Sequence, residues 1–340
     1  MSPNKLTKVL AHSFRHGLKV LVKGAPGIGK SDIITQAAAR AEADLIIMHP
    51  VVSDPTDFKG MPAVVQPSTE EAKQYGKHPL AEFLPFGDLR KLVRASGLTV
   101  CFMDDIGQAP GAVQAALMQL LQAREVNGHK ISDHVIFCGA TNDATHMAGV
   151  STILEPVKSR WDTIIELTAD TESWKHWAIQ NDMPPELIGF IDLRPDLLSD
   201  FKATRDLTNS PCPRTVHAVG KWVKSGLVDI EVLSGAAGDG FAAEFIGFMR
   251  TYKSMPDLDT IANSPTVATL PQDPATHFAI CAALTYHADA TVFPAYHTYI
   301  LRLASEWQTR AMRDIILKHP ELKDTATFVQ WAAENVQNLA

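Results

Sequence analysis

Short apolar runs alternate with longer mixed segments in the first half of the chain. Four runs have only five or six residues, which is too short for helices and typical of buried strands: residues 18–22, 98–103, 135–139 and 163–167. A helix is predicted at residues 33–41, shortly after the first run. Strands separated by helical segments predict an α/β domain with a parallel sheet, which we place at residues 1–168.

Helical periodicity replaces the strand pattern after about Thr168. We predict an all-α segment at residues 169–225 and a helical C-terminal extension at residues 226–340. Within the extension, the apolar spacing predicts four helices, at residues 241–252, 276–287, 295–319 and 326–339.

Residues 51–90 form a long segment that is rich in proline, glycine and charge. Connections of this length inside a compact domain are uncommon and are usually functional or mobile. We therefore interpret this segment as an insert that contacts a partner or a substrate chain.

The segment "GAPGIGKS", residues 24–31, directly follows the first apolar run and matches the phosphate-loop pattern G-x-x-x-x-G-K-[ST]. In such a loop the glycines let backbone N–H groups point at phosphate oxygens, the lysine reaches the β- and γ-phosphates, and the hydroxyl binds Mg²⁺. The sequence therefore predicts two cofactors, ATP and the magnesium ion Mg2+. The predicted nucleotide-binding residues are Gly24, Ala25, Pro26, Gly27, Ile28, Gly29, Lys30, Ser31 and Asp32.

Polar residues follow the later predicted strands. Asp104 and Asp105 end the run at 98–103, and ligands gather at the carboxyl ends of strands in a parallel sheet. Asp104 suits a Mg²⁺ ligand together with Ser31, and Asp105 would orient or deprotonate the attacking water. Asn142 follows the third run, where it holds that water, senses the γ-phosphate or forms a turn.

Arg160 precedes the fourth run and has two interpretations. It is either a structural residue paired with a carboxylate or an arginine finger that stabilises charge on the transferring phosphoryl group.

Composition narrows the class of protein. The net charge is −7, which removes the usual electrostatic argument for nucleic-acid binding. No apolar run approaches the roughly 18 residues of a membrane span, and the N-terminus lacks a signal-peptide pattern. The four cysteines are scattered and show no metal-ligand spacing, as expected of reduced thiols in a cytoplasmic protein.

Together these features resemble the MoxR family of AAA+ ATPases, in the clade with an insert in its second helix. The match covers about residues 1–225. A β-hairpin within this range is also predicted without reference to the family, because Asn127-Gly128 is a pair that two-residue hairpin turns prefer. The matching segments stand in the family's order: the phosphate loop, "DPTDFKGMP" at 54–62, the acidic strand at 100–105, a helix and hairpin at 108–132, "ATNDA" at 140–144, "LEPVKSRW" at 154–161 and "NSPCPRTVHAVGKW" at 209–222.

The resemblance implies a role for each matching residue. Asn142 is similar to the first sensor, Arg160 to the arginine finger that acts on a neighbouring subunit, and Arg214 to the second sensor. Residues 169–225 then correspond to the helical lid. The chain departs from the family at two places. Asp105 stands where the family has glutamate, and an extra Pro-Cys step in "SPCPRT" makes Arg214, rather than Arg205, the matching arginine.

The resemblance also implies an activity and partners. The expected protein is an ATPase that binds Mg-ATP at the subunit interfaces of a hexameric ring and remodels or assembles a partner protein, such as one with a von Willebrand factor A domain. Asp105 favours slow hydrolysis, because its carboxylate lies one C–C bond short of a glutamate's reach. Two alternatives remain: a nucleotide-gated assembly scaffold with little turnover, and a DNA-handling AAA+ motor, which the acidic charge balance disfavours.

Overall fold

The computed structural model describes residues 1–143, 153–204 and 206–335. The chain divides into two compact units, Met1–Thr168 and Ala169–Ala340. The helices of the first unit are α1 Pro3–Arg15, α2 Lys30–Arg40, α3 Pro55–Lys59, α4 Thr69–Tyr75, α5 Gly87–Arg94, α6 Gly111–Ala123 and α7 Glu155–Lys158. Its strands are β1 Val20–Gly24, β2 Asp44–Met48, β3 Met61–Val65, β4 Leu80–Leu84, β5 Thr99–Met103, β6 Glu125–Val126, β7 His129–Lys130, β8 Val135–Asn142 and β9 Thr163–Glu166.

A five-stranded parallel sheet in the order β2-β5-β8-β1-β9 forms the centre of the first unit. Every residue of β5 and β8 is buried, as in strands that are covered on both faces by helices. The predicted fold class is therefore confirmed: a parallel α/β sheet domain precedes a helical region.

Three strands of the central sheet differ from the sequence prediction by more than one residue. β8 continues to Asn142, three residues beyond its predicted end. The first strand begins two residues later than predicted, at Val20, and runs into Gly24. The edge strand β2 was not predicted, and only Met48 among its residues is buried. An edge strand that is covered on fewer sides needs fewer apolar residues, so its pattern is weaker than that of a central strand.

The insert at residues 51–90 has secondary structure of its own. It comprises α3, the antiparallel pair β3 and β4 with α4 between them, and α5. Asp54 caps α3 by accepting a hydrogen bond from the N–H of Thr56. Gly60 ends α3 at φ +88°, where a Cβ would lie 2.9 Å from the Leu84 carbonyl oxygen. Glycine is therefore required where the chain turns into β3.

The predicted hairpin at Asn127-Gly128 is confirmed as β6 and β7. Both turn residues have positive φ, 46° and 84°, as a type I′ turn requires. Asn127 Nδ2 donates to the Lys59 carbonyl at 2.6 Å, and His129 Nε2 lies 3.0 Å from the Phe83 carbonyl oxygen. The hairpin is thus attached directly to the insert.

The described part of the second unit is helical. The predicted helix at 295–319 is wrong as a single element, because one helix ends at Ile300 and the next begins at Ser305. No helix in the described residues is long and apolar enough to cross a membrane. The helices are α8 Thr171–Gln180, α9 Pro185–Leu193, α10 Pro213–Lys224, α11 Ile230–Ala237, α12 Asp239–Ser254, α13 Leu258–Asn263, α14 Pro274–His287, α15 Phe293–Ile300, α16 Ser305–Lys318 and α17 Ala326–Glu334.

Side-chain hydrogen bonds stabilise the break between α15 and α16, where the sequence has no proline or glycine. Gln308 Nε2 donates to the carbonyls of Leu301 and Leu303, at 3.1 and 2.8 Å. Arg302 Nη1 donates to the carbonyls of Pro265 and Ala268, at 2.5 and 2.8 Å. The bonds from Gln308 satisfy carbonyl groups just beyond the end of α15. The bonds from Arg302 tie the break to the segment before α14.

One apolar cluster joins the predicted segments 169–225 and 226–340. Phe190 of α9 packs against Phe241 and Phe245 of α12, with ring centroids 5.2 and 5.3 Å apart. Val216 of α10 and Leu233 of α11 belong to the same cluster and are fully buried. The two segments therefore share a core.

A buried ionic cluster ties α8, α9 and α16 together. The Lys175 ammonium, which is 3% exposed, lies 2.8 Å from Asp192 and 2.5 Å from Asp314. Arg310 pairs with Asp192 at 2.9 Å. Burial alone would lower the pKa of Lys175, but Asp314 and Asp192 outweigh burial, so its pKa is raised. The lysine is therefore held charged between two carboxylates.

Candidate nucleotide-binding site

The phosphate loop connects β1 to α2 along a path that requires glycine. Gly27 and Gly29 have φ of 72° and 97°, a region that residues with a Cβ rarely adopt. At Gly24 a Cβ would lie 3.0 Å from the carbonyl oxygen of Leu167. The first N–H groups of a helix have no acceptor within it, so the start of α2 at Lys30 offers donors to an anion.

Lys30 is buried and bridges the loop to the sheet. Its Nζ donates to the carbonyls of Gly24 and Ala25, each at 3.0 Å, and to Asn142 Oδ1 at 2.7 Å. All three of these acceptors are neutral. The ammonium is therefore placed inside the loop, where a bound phosphate would lie.

Ser31 and Asp104 meet across the site. Ser31 Oγ donates to Asp104 Oδ2 at 2.7 Å, and Asp104 Oδ1 accepts the backbone N–H of Asp105 at 3.0 Å. A hydroxyl beside a carboxylate is a pair of oxygen ligands that Mg²⁺ accepts. No cluster of three or more His, Cys, Asp or Glu side chains suits a metal ion in the described residues. The oxygen atoms of Ser31 and Asp104 fit an ion that prefers oxygen ligands.

Asn142 lies between Lys30 and Asp105. Its Oδ1 accepts from Lys30, and its Nδ2 donates to Asp105 Oδ1 at 3.3 Å. The sheet order explains this position, because β8 lies between β1 and β5 and its register pairs Asn142 with Gly24. The amide group is thus oriented by one partner on each side.

Asp105, two residues after the end of β5, has an unusual backbone geometry. Its φ of 53° and ψ of 36° lie in the left-handed region, which aspartate tolerates better than most residues with a Cβ. Its carboxylate is half-buried at the end of β5. A water bound near this carboxylate would also be close to Asn142.

The remaining residues of the predicted loop surround this network. Ala25 and Pro26 are half-buried, Ile28 is buried, and Asp32 is exposed in the first turn of α2. The structure therefore brings five of the predicted site residues into one hydrogen-bonded network: Lys30, Ser31, Asp104, Asp105 and Asn142.

Arg160 lies between α7 and β9, and its guanidinium binds neutral groups. Nε and Nη2 donate to Gln122 Oε1 at 3.1 and 2.8 Å, and Nη1 donates to Ser159 Oγ at 2.9 Å. None of its partners in the described part of the chain is a carboxylate. The interpretation of Arg160 as half of a structural ion pair is therefore not supported.

Arg214 belongs to the second unit, where it is exposed in the first turn of α10. The extra Pro-Cys step before it forms the cap of this helix. The N–H of Cys212 donates to Thr215 Oγ1 at 2.8 Å, and that hydroxyl donates to the Ser210 carbonyl at 2.9 Å. Arg205, the rejected alternative, lies outside the described residues, as does Ala144 of the segment "ATNDA".

An ion cluster that the sequence analysis missed links three strand ends beside the loop. Lys23 Nζ lies 3.1 Å from both Asp143 Oδ2 and Glu166 Oε2. Hydrogen bonds to Glu166 and Asp143 raise the pKa of Lys23. The available signal was a lysine in an otherwise apolar strand, one residue before the phosphate loop.

Comparisons with known proteins add little to this geometry. No protein-family model matches the chain, and no curated protein matches it. Among solved structures, the chain is similar to the Thermotoga maritima RuvB Holliday junction branch migration motor, at 17% identity and a TM-score of 0.39, over 88% of this chain and 85% of that chain. It is also similar to NtrX from Brucella abortus in complex with ADP, at 10% identity and a TM-score of 0.41, over 99% of this chain and 68% of that chain. Likenesses this weak assign no function, so the fold class rests on the sheet topology itself.

Proposed function

We propose that this chain is a MoxR-like AAA+ ATPase that couples hydrolysis of Mg-ATP to remodelling or assembly of a partner protein. The observation that carries the proposal is the network that joins the phosphate loop to the acidic strand end. In it, Asn142 binds both Lys30 and Asp105, while Ser31 binds Asp104. A glycine-rich turn that matched the motif by chance would not require this convergence of three separate segments.

Each residue of the network has a chemical task in this proposal. The loop N–H groups and Lys30 bind the phosphates, and Ser31 with Asp104 would hold Mg²⁺. When bound, the metal ion neutralises negative charge on the phosphate oxygens. Asp105 orients the attacking water and accepts its proton, and Asn142 holds the Asp105 carboxylate in place.

A second copy of the chain completes the site in this proposal. Arg160 has no anionic partner in the described part of its own chain, so its positive charge is available to phosphate oxygens of a nucleotide bound to a neighbour. The family resemblance supports a hexameric ring, and Arg214 on α10 would act as the second sensor.

The insert is the surface we assign to the protein client. Val64 of β3 is 77% exposed, and Phe83 of β4, on the same face of the strand pair, is also exposed. Exposed apolar residues grouped on one element are typical of protein-binding surfaces. A protein with a von Willebrand factor A domain is the client class that the resemblance suggests.

Mg²⁺-dependent release of phosphate from ATP by the purified protein tests the proposed activity. We expect turnover that disappears when EDTA removes the metal. Hydrolysis that required DNA would instead favour the DNA-handling motor. Absence of turnover, alone and with a client, would contradict the proposal.

Complementation tests whether Arg160 acts on a second copy. We expect Arg160→Ala to lower kcat by about 1,000-fold, within the range found for arginine fingers. A mixture of Arg160→Ala with Lys30→Ala protomers should recover part of the activity, because the second variant supplies an intact Arg160 to the first variant's intact phosphate loop. A mixture with no more activity than its separate components would show that Arg160 does not act between copies.

Substitution of Asp105 separates the ATPase from the nucleotide-gated scaffold, its main alternative. We expect Asp105→Asn to lower kcat by about 100-fold or more, because general-base catalysis contributes that much. Asp105→Glu should raise kcat by about tenfold, since the longer side chain reaches the water better. Phosphate release at saturating Mg-ATP measures both changes. If neither substitution alters turnover, Asp105 is not the water-positioning acid and the scaffold is favoured.

A further inference from the structure

The segment that carries Arg160 is attached to helix α6 at two places. Gln114 Oε1 accepts the backbone N–H of Leu154 at 3.0 Å, and Gln122 Oε1 accepts two N–H groups of Arg160. Trp161, which follows Arg160, is buried against Gly139 of β8, where a Cβ would lie 2.8 Å from the indole ring. The backbone of Arg160 is therefore held firmly. Its guanidinium is oriented by Gln122, which accepts two hydrogen bonds, and by Ser159 Oγ, which accepts one.

The chemical type of Gln122 is what makes this contact informative. A glutamate of the same length would place an oxygen at the same position and form a stronger, charge-assisted pair. That pair would also neutralise the guanidinium, which would then have to break it before binding a phosphate oxygen. An amide oxygen accepts the same two hydrogen bonds and leaves the positive charge uncompensated.

We propose that Gln122 is a positioning residue for Arg160, a neutral acceptor that orients the guanidinium toward the nucleotide of a second copy and keeps its charge available. The proposal rests on the proposed ATPase function and on the role of Arg160 within it. Gln122 itself contacts neither nucleotide nor water in this proposal.

Two substitutions of Gln122 separate its effect on the orientation of the Arg160 guanidinium from its effect on the charge of that group. Gln122→Ala removes the acceptor, and we expect kcat to fall about two- to threefold. Gln122→Glu keeps the acceptor and adds a negative charge, and we expect kcat to fall about three- to tenfold, because an exposed ion pair is weak but must be broken. The nucleotide Kd and the thermal unfolding temperature should stay at the wild-type values.

Gln119→Glu is the matched control, because Gln119 is exposed on the same helix and makes no side-chain hydrogen bond within the described residues. It adds the same charge three residues from Gln122, at a side chain that accepts none of the hydrogen bonds of Arg160. We measure kcat for both glutamate variants, wild type and Arg160→Ala at about 50 mM and about 500 mM salt. The deficit of Gln122→Glu relative to Gln119→Glu should shrink at high salt, because ions screen exposed pairs.

The outcomes are distinguishable. A wild-type protein without turnover contradicts the proposed function itself. A wild type that hydrolyses ATP, loses activity on Arg160→Ala and yet shows equal kcat for the two glutamate variants overturns only the role of Gln122. A loss for Gln122→Ala that exceeds the loss for Gln122→Glu also overturns it, because orientation alone would then explain the contact.

Discussion

Replacing Lys30 with alanine should lower ATP affinity and hydrolysis by about 100-fold or more. The lysine is the positive charge of the phosphate loop, and removing one preorganised donor from a charged transition state costs about 100- to 1,000-fold. The substitution also removes a partner of Asn142, whose amide is oriented by Lys30 and Asp105. Nucleotide titration and phosphate release under the same conditions measure the two losses.

Lys8→Ala is the control for this variant, because Lys8 is an exposed lysine of α1 outside the site. It should bind and hydrolyse ATP as the wild type does. Turnover of Lys30→Ala within about threefold of the control, in a folded protein, would mean that the segment "GAPGIGKS" is not a catalytic phosphate loop.

Replacing Lys175 with methionine should destabilise the second unit by about 3–5 kcal/mol. The substitution leaves Asp192 and Asp314 buried with Arg310 and, 3.9 Å from Asp314, Arg313 as their remaining cationic partners. Removing one member of a buried ion cluster leaves an uncompensated charge. For a unit of this size, that change lowers the unfolding temperature by about 10 °C. Thermal and denaturant unfolding measure it.

Adding a substitution of Asp314 tests whether the uncompensated charge causes the loss of stability. The double variant Lys175→Met, Asp314→Leu removes one positive and one negative charge, so Arg310 and Asp192 remain as a neutral pair, 2.9 Å apart. We expect it to recover most of the lost stability, since apolar replacements of buried ion pairs are often neutral or stabilising. Lys221→Met, at an exposed lysine of α10, should have almost no effect. Equal losses in the single and double variants would show that packing, and not charge, explains the defect.

The ion cluster around Lys175 also predicts the direction in which the free energy of unfolding changes with pH. The folded pKa of Lys175 is raised, so its contribution to stability is fully present below the unfolded pKa and is lost as pH rises through the folded pKa. The difference in unfolding free energy between wild type and Lys175→Met should therefore shrink at strongly alkaline pH.

The central strands and the hairpin were predictable because each depends on local sequence. β5 and β8 are buried on both faces, so their residues form continuous apolar runs, and Asn127-Gly128 supplies the positive φ angles of its turn. The edge strand β2 and the break between α15 and α16 were not predicted. The first has few buried residues, and the second depends on hydrogen bonds from Arg302 to a distant segment.

The sequence by itself determined the residues of the candidate site and the edge of the sheet where they lie. A motif of glycines, a lysine and a serine encodes the loop, and polar residues that follow buried strands must emerge at one edge of a parallel sheet. Only the tertiary structure decided which side chains meet: Asn142 bridges Lys30 and Asp105, Lys23 links three strand ends, and Gln122 holds Arg160. These contacts join residues that are far apart in the chain, and no local pattern encodes the order of strands that brings them together.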